Sequence, residues 1–415
     1  MNILMGVIGI AVLIGIALLF SENRRAIRLR TVSIAFAIQA LIGVVVLYTD
    51  WGGQLLQWIS NGVQAVLGSA DAGISFLFGG LVSPQMFEVF GNGGFVFAFR
   101  VLPIIVFFSS LIAVLYYLGV MRWVINVIGR GLQLALGTSR AESLNSAANI
   151  FVGQSEAPLV VKPFVPKMTR SELFAVMAGG LASVAGSTLG GYAALGIDLN
   201  YLLAASFMAA PGGLLMAKLI IPETGHPHQR LEEVEPDPAQ QQGPRNVIDA
   251  AAAGASDGLR LAVNVGAMLI AFVALIALFN GMVGSIGGWF GIEELSLQLI
   301  LGYCFAPLAF LIGIPWDEAI TAGSLIGQKT ILNEFVAYID FVAVRDSLTP
   351  HSQAIVIFAL CGFANLSSVA ILLGGLGVIA PNRRGDVASL GLKAVLAGTL
   401  SNLMSACLAG LLLAL

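Results

Sequence analysis

Residues 137–170 read GTSRAESLNSAANIFVGQSEAPLVVKPFVPKMTR. Arg140 stands near one end, and Lys162, Lys167 and Arg170 near the other, while Asn145 to Val161 between them is largely apolar. Basic residues mark the cytoplasmic side of a membrane protein. Both ends of the stretch therefore belong on one side, and its middle enters the bilayer and returns. That is a re-entrant hairpin, not a crossing. Gly153 permits a break in the middle, and Pro158 can start a second half-helix. Beside the break, Gln154, Ser155 and Glu156 offer an amide, a hydroxyl and a carboxylate to a polar neutral ligand. An ionisable group at membrane depth is costly and points to function.

The composition supports a membrane reading of the whole chain. Of 415 residues, 58% are hydrophobic and only 10% charged, against about 25% charged in soluble proteins. That is too little charge to coat a water-soluble globule. A net charge of −3 leaves no electrostatic footprint for nucleic acid. Cys304, Cys361 and Cys407 lie in apolar stretches without ligand spacing and read as packing residues. Long charge-free runs occur at 3–20, 31–49, 101–121, 173–197, 199–217, 261–292, 295–316, 352–382 and 394–415, each long enough for a spanning helix of about 20 residues. Arg24, Arg25, Arg28 and Arg30 follow the first run, which places the N-terminus outside. Asp50 and Asp71 then fall in an external stretch, and Arg122, Arg130 and Arg140 return to the inside. Residues 222–246 are polar and Pro-rich and read as a flexible internal loop. Run 261–292 exits to Glu293 and Glu294. Arg383 and Arg384 fall inside only if 295–345 is a second re-entrant hairpin, entered from outside. The expected fold is an all-α polytopic membrane protein of eight transmembrane helices and two opposed re-entrant helical hairpins, with both termini outside.

Two halves of this plan repeat. NIFVGQSEAPL begins at Asn149 and NEFVAY at Asn333; GGLASVAGSTLGG (179–191) parallels CGFANLSSVAILLGG (361–375), with Ser183 opposite Asn365 and Gly180 opposite Gly362. Each half runs hairpin, broken span, closing span, and the hairpins enter from opposite sides. Inverted repeats with broken helices are the architecture of secondary transporters, with substrate near the midplane.

Glu156 and Glu334 each lie in the middle of a hairpin. Asn149, Ser183 and the carbonyls freed around Val152 and Val184 form a neutral oxygen set suited to a weakly held monovalent cation such as Na+. Asn365, Ser367 and Ser368 beside Phe363 give a sugar several polar partners against an apolar wall. Asp317, Glu318 and Glu142 read as first-turn carboxylates favouring the helix dipole. His226, His228 and His351 are scattered, without metal-site spacing. With no P-loop and no H-E-x-x-H, an ion or substrate gradient must supply the energy. The residues alone stop at a cation-coupled carrier for a small polar solute.

The stretch NIFVGQSEAPLVVKPFVPKMTRSELFAVMAGGLASVAG, with NEFVAY and CGFANLSSVAILLGGLG further on, strongly resembles the concentrative nucleoside transporter family. The likeness covers nearly the whole chain and is least in the 222–246 loop. It implies a sodium-coupled, or in some members proton-coupled, importer of nucleosides such as uridine. By the same resemblance it is a homotrimer in the bacterial inner membrane, not an enzyme, and works by an elevator-like motion. Residues 1–130 and 246–296 would form the scaffold, 131–220 and 297–415 the transport domain, and 221–245 a cytoplasmic loop. Gly153, Gln154, Ser155, Glu156 and Thr188 match the base-contacting positions, and Glu334, Phe363, Asn365 and Ser368 the ribose-contacting ones. Asn149, Val152, Ser183 and Val184 match the sodium site, the last two through backbone. Ser155 stands where many relatives carry Thr, which leaves base preference open. The alternatives are a proton-coupled symporter, a same-fold carrier of another small polar solute, and a membrane-embedded enzyme.

Overall fold

The computed structural model describes residues 2–227, 244–289 and 295–414, and its regular elements are helices. Most of the expected 221–245 loop, with Glu293 and Glu294, lies outside the described residues.

Helices α1 (Asn2–Leu19) and α2 (Leu29–Tyr48) are the first two expected spans. Residues 50–100, expected as an external connection, are largely helical. They open with α3 (Asp50–Phe78), capped by the Thr49 hydroxyl, which accepts from Gly52 N at 3.2 Å. Gln54, Gln57, Asn61, Gln64 and Asp71 interrupt every apolar run in this stretch, so a search for uninterrupted runs passes over it. Leu56, Ile59, Val63, Leu67, Ala70 and Ile74 nevertheless recur at the period of an amphipathic helix. The segment Asp50–Phe90 is long and apolar enough to cross a membrane. Two short helices follow, α4 (Gln85–Phe90) and α5 (Phe97–Arg100), then α6 (Leu102–Tyr117), the third expected span. Gly119 and Gly137, at φ +81° and +67°, bracket α7 (Val120–Leu136). A Cβ disfavours these left-handed conformations, so glycine sets both turns.

The first hairpin is α8 (Arg140–Ala148) and α9 (Ala157–Val160). A broken span follows, α10 (Arg170–Ala182) and α11 (Gly186–Ala194), then the closing span α12 (Leu199–Ile220). After the long α13 (Val247–Trp289) comes α14 (Leu297–Leu311), which bends by 115° into α15 (Trp316–Ile331). The second hairpin proper is therefore narrower than 295–345. It consists of α15 and α16 (Glu334–Val344), and α14 is a helix of its own. The second broken span is α17 (Pro350–Leu360) and α18 (Ser368–Ile379), closed by α19 (Arg384–Leu413). By length and composition seven described segments, or eight with the bent pair, are long and apolar enough to cross a membrane. α1 and the halves α17 and α18 are shorter, and the amphipathic α3 segment meets the same criterion by length and composition alone.

Opposed hairpins can be read from the hydrogen bonds at their bases. Ser139 with Glu142 and Thr169 with Glu172 form capping boxes at the two ends of hairpin 1. Glu142 pairs with Lys218 near the end of α12, and Thr169 Oγ1 donates to Glu223 at 2.8 Å. Arg383 Nη1, just before α19, donates to Met168 O at 2.6 Å. Hairpin 2 and the start of α17 after it are anchored at the other ends of the same helices. Arg345 Nη1 donates to Gly196 O (3.3 Å) before α12, and His351 Nε2 meets Gly410 O (2.8 Å) near the end of α19.

The two repeats form the core. The windows in α10–α11 and α12 are each 94% buried, against 11% in α13. α1 and α2 pack on α12 and α19, whereas α13 packs chiefly along α6. There a Cβ on Gly258 would stand 2.7 Å from Ser109 Cβ. Small residues of this kind let membrane helices approach closely.

Candidate functional site

The two broken spans meet at their breaks. Ser183, where α10 stops, is extended (φ −108°, ψ 173°), and its carbonyl accepts from Phe363 N in the other break at 3.1 Å. Asn402 of α19 donates from Nδ2 to Ala182 O (2.6 Å) and Cys361 O (2.9 Å). One amide thus satisfies carbonyls at the ends of both half-helices, which lipid could not do. A Cβ at Gly362 would collide with the Asn402 side chain, so this close approach requires glycine.

Each hairpin tip docks on this junction. In hairpin 1, Gly153 N donates to Glu156 Oε2 at 2.6 Å, and Phe151 O accepts from Gly186 N at 2.9 Å. Gln154 Nε2 reaches Ser368 Oγ in the other repeat at 3.2 Å. In hairpin 2, Asn333 caps α16, its Oδ1 accepting from Val336 N at 2.9 Å. That cap sets Glu334 on the first turn. Its Oε1 accepts from Tyr192 OH and its Oε2 from Asn365 Nδ2, both at 3.1 Å. Asn365 Oδ1 in turn accepts from Ser368 N at 2.9 Å and Ser367 Oγ at 2.7 Å. One chain of contacts therefore runs through Gln154, Ser368, Asn365, Glu334 and Tyr192, passing through the Ser368 backbone N–H. All five are buried, so each polar group depends on its partners.

The structure thus brings together Gln154, Glu334, Asn365 and Ser368. Thr188 is buried on α11, its hydroxyl donating to Ala185 O at 2.7 Å. Phe363 is half-buried beside Asn365. Ser155 and Glu156 stand apart and are exposed at the tip. Glu156 faces a cavity of about 570 Å³ shared with Tyr116, Arg122, Asn126, Ser187 and Asp257. A second cavity, about 890 Å³, lies by the turn before α12 and is lined by Gln64, Asp71, Arg100 and Asp198.

Asn149 ends α8, is 1% exposed, and has no hydrogen-bond partner on Oδ1 or Nδ2 among the described residues. A buried amide with both atoms unpaired is rare and implies a missing partner. Ser183 Oγ donates to Gly179 O at 3.1 Å and retains its lone pairs. The carbonyls of Val152 and Val184 accept no hydrogen bond among the described residues. These oxygens are neutral, which fits a monovalent cation. No cluster of three His, Cys, Asp or Glu residues suited to a metal ion occurs among the described residues.

Several groups were not legible beforehand. Tyr192 lies one turn beyond Thr188, and Lys329 one turn before Asn333, yet both looked like ordinary helix residues. Asn402 carries no motif at all. Glu142 does occupy a first turn, but it is also buried against Lys218. Asp317 and Glu318 open α15 as expected, and Glu318 accepts from Thr349 N at 3.1 Å. The three cysteines form no disulfide. Cys361 and Cys407 are buried, while Cys304 is exposed and is no packing residue in this chain. Gly254 to Gly258 (GASDG) matches the G-x-S-x-G pattern of hydrolase elbows, but it lies inside the continuous helix α13. Ser256 Oγ there donates to Ala252 O at 3.0 Å, with no strand-to-helix turn to present it.

Opposed hairpins, two broken spans and a polar site where all four meet define a secondary transporter of the inverted-repeat class. Residues 201–410 match the family profile described as the C-terminus of Na+ dependent nucleoside transporters, and 8–81 that of the N-terminus. Residues 98–198 match a profile described as nucleoside recognition. The chain belongs to the concentrative nucleoside transporter family. It is 52% identical to nucleoside permease NupC of Helicobacter pylori, covering 99% of this chain and 98% of that one. With the mouse sodium/nucleoside cotransporter 1 the identity is 40%, covering 97% of this chain and 63% of that one. CNTnw in an inward-facing substrate-bound state superimposes with a TM-score of 0.97 at 58% identity, covering 100% of this chain and 99% of that one. An outward-facing variant of CNTnw gives a TM-score of 0.98 at the same identity and coverage. The coupling ion that the family match supports is Na+.

Proposed function

We propose that this chain imports nucleosides such as uridine across the inner membrane, driven by the sodium gradient, and catalyses no chemical change. The observation that carries the reading is the contact chain from Gln154 to Glu334 beside the unpaired Asn149. Glu334, which can accept from two ribose hydroxyls, is held by Tyr192 and Asn365. Charge-assisted bonds of this kind are the strong ones. Gln154, with Oε1 unpaired, reads the base together with Gly153, Ser155, Glu156 and Thr188. Phe363, Asn365 and Ser368 complete the sugar end. Asn149, Ser183 and the carbonyls of Val152 and Val184 would hold Na+. The ion supplies positive charge that ties the hairpin 1 tip to the α10–α11 break. The coupling follows: what orders the tip for the ion also orders Gln154 for the nucleoside, and the two affinities rise by the same factor.

The motion is of the elevator kind, with the two repeats moving as a body along α6 and α13. The packing of α1 and α2 on α12 and α19 favours including them in that body, so a scaffold boundary at residue 130 would cut through packed helices. We further propose a homotrimer, with both termini on the side where hairpin 2 enters. A proton-coupled reading has one observation in its favour: the Glu156 carboxylate opens onto a cavity.

Uridine uptake into proteoliposomes at fixed pH tests these readings. Accumulation of unmodified uridine under a sodium gradient, lost when choline replaces Na+, is the expected result. Undiminished uptake in choline with stimulation by an inward proton gradient would move the coupling to Glu156. A modified product would make the protein an enzyme.

A further inference from the structure

Lys329 lies in the last turn of α15 and is 1% exposed. Its ammonium donates to Asn402 Oδ1 at 2.9 Å, and it forms no salt bridge with a carboxylate among the described residues. An ammonium so buried is costly without close compensation, and inside a membrane it calls for a role. The compensation here runs through the Asn402 side chain. Asn402 also bonds Ala182 O and Cys361 O, at the C-terminal ends of α10 and α17. Half-helix C-termini carry partial negative charge, and in carriers of this build they hold coupling cations. Glu334 adds an attraction at longer range.

The register of the repeat shows what Lys329 replaces. The offset that carries Asn149 onto Asn333 carries Asn145 onto Lys329. Asn145 is buried, with Oδ1 unpaired among the described residues and Nδ2 at 3.4 Å from Val176 O. The first repeat therefore has two amides with free oxygens on successive turns. The second has an ammonium in place of one, and in place of the other an Asn333 already engaged as a cap. We propose that the Lys329 ammonium is a built-in cation, standing in the second repeat where the first leaves room for Na+. The carrier then takes a single Na+, and moves a single net charge, with each nucleoside. The second repeat needs no ion of its own, because its cation travels with the protein.

This inference rests on the sodium-coupled reading above, and its test separates the two. Calorimetric titration of the purified protein with uridine at graded Na+ should give a hyperbolic Na+ dependence, with a Hill coefficient of about 1. Lys329→Gln restores a neutral oxygen, so its Na+ dependence should become sigmoidal, the coefficient rising towards about 2. Lys329→Arg keeps the charge and should keep the hyperbola. The reversal potential of uridine-driven current in proteoliposomes gives the charge-to-nucleoside ratio of the unaltered protein without any variant. A ratio near two overturns the inference, as does a hyperbolic curve in folded Lys329→Gln or a sigmoidal one in Lys329→Arg. Absence of any Na+ effect on uridine binding in the unaltered protein would instead sink the sodium-coupled reading itself.

Discussion

The first and second repeats share one path of the chain and differ in what they leave unfinished. At the break of hairpin 1, Asn149 is buried without a side-chain partner among the described residues, and Glu156 is exposed at the tip. At the break of hairpin 2 the corresponding Asn333 caps a helix, Glu334 has two partners, and Lys329 fills the space behind. One repeat leaves a buried amide unpaired among the described residues, while the other pairs its carboxylate with Tyr192 and Asn365. Duplication alone would give two equal sites. The proposed division, with the ion in one half and the sugar in the other, rests on the difference of a few side chains at matched positions.

The strongest way to break this division is at Glu334. Glu334→Gln should lose about 1.5–3 kcal/mol of uridine binding, and unchanged affinity by calorimetry would remove ribose from the second repeat. A 2′,3′-dideoxynucleoside should bind the unaltered protein poorly for the same reason. Next comes Asn149→Ala, which should remove on the order of 1–3 kcal/mol of Na+–uridine coupling. Uridine affinity measured without Na+ should hardly change; if it falls as much as the affinity in Na+, Asn149 serves the fold and not the ion. Gln154→Ala should shift uridine, cytidine and adenosine unequally, by about 0.5–1.5 kcal/mol. A uniform loss across the three would show that the bond to Ser368 matters only as a tie between the repeats.

The smallest expected effect lies at the base of hairpin 1. Arg170, hydrogen-bonded to Glu22, and then Lys393 hold the Glu22 carboxyl below its ordinary range, although burial opposes them. A depressed carboxylate stabilises the fold above the ordinary carboxylate pKa of about 4.3 and loses that contribution as pH falls through the lowered value. The group is largely exposed, so Glu22→Gln should cost less than about 1 kcal/mol at neutral pH. Thermal melts of the two proteins should converge on acidification below about pH 4; a gap that stays constant would assign the difference to packing.

The architecture was legible wherever charge and apolar length disagree. The basic ends of 137–170 reveal hairpin 1, and Arg383 with Arg384 force hairpin 2 by parity. Asn149, Gln154, Glu156, Glu334 and Asn365 were visible as polar residues in apolar stretches. The helix α3 was not, because its amphipathic pattern interrupts every run. Tyr192, Asn402 and Lys329 were not, because their roles arise from bonds across long sequence separations, such as Lys329 to Asn402. A lysine at the end of a helix normally favours the dipole in water, and only the packing shows this one to be buried.

One consequence reaches back to how the chain is made. Hairpin 1 and α10 carry Glu142, Asn145, Asn149 and Glu172, which the finished protein buries, and lipid would receive such groups poorly. Their shelter includes α19, which packs along α10 and α12 and leaves the ribosome long after them. During synthesis the first repeat must wait, half-solvated or held by insertion machinery, until the second arrives to close it. Nascent chains arrested before residue 384 should accordingly leave a cysteine placed at position 149 open to aqueous label, and chains extended through α19 should protect it; equal labelling of both would show that the first repeat closes unaided.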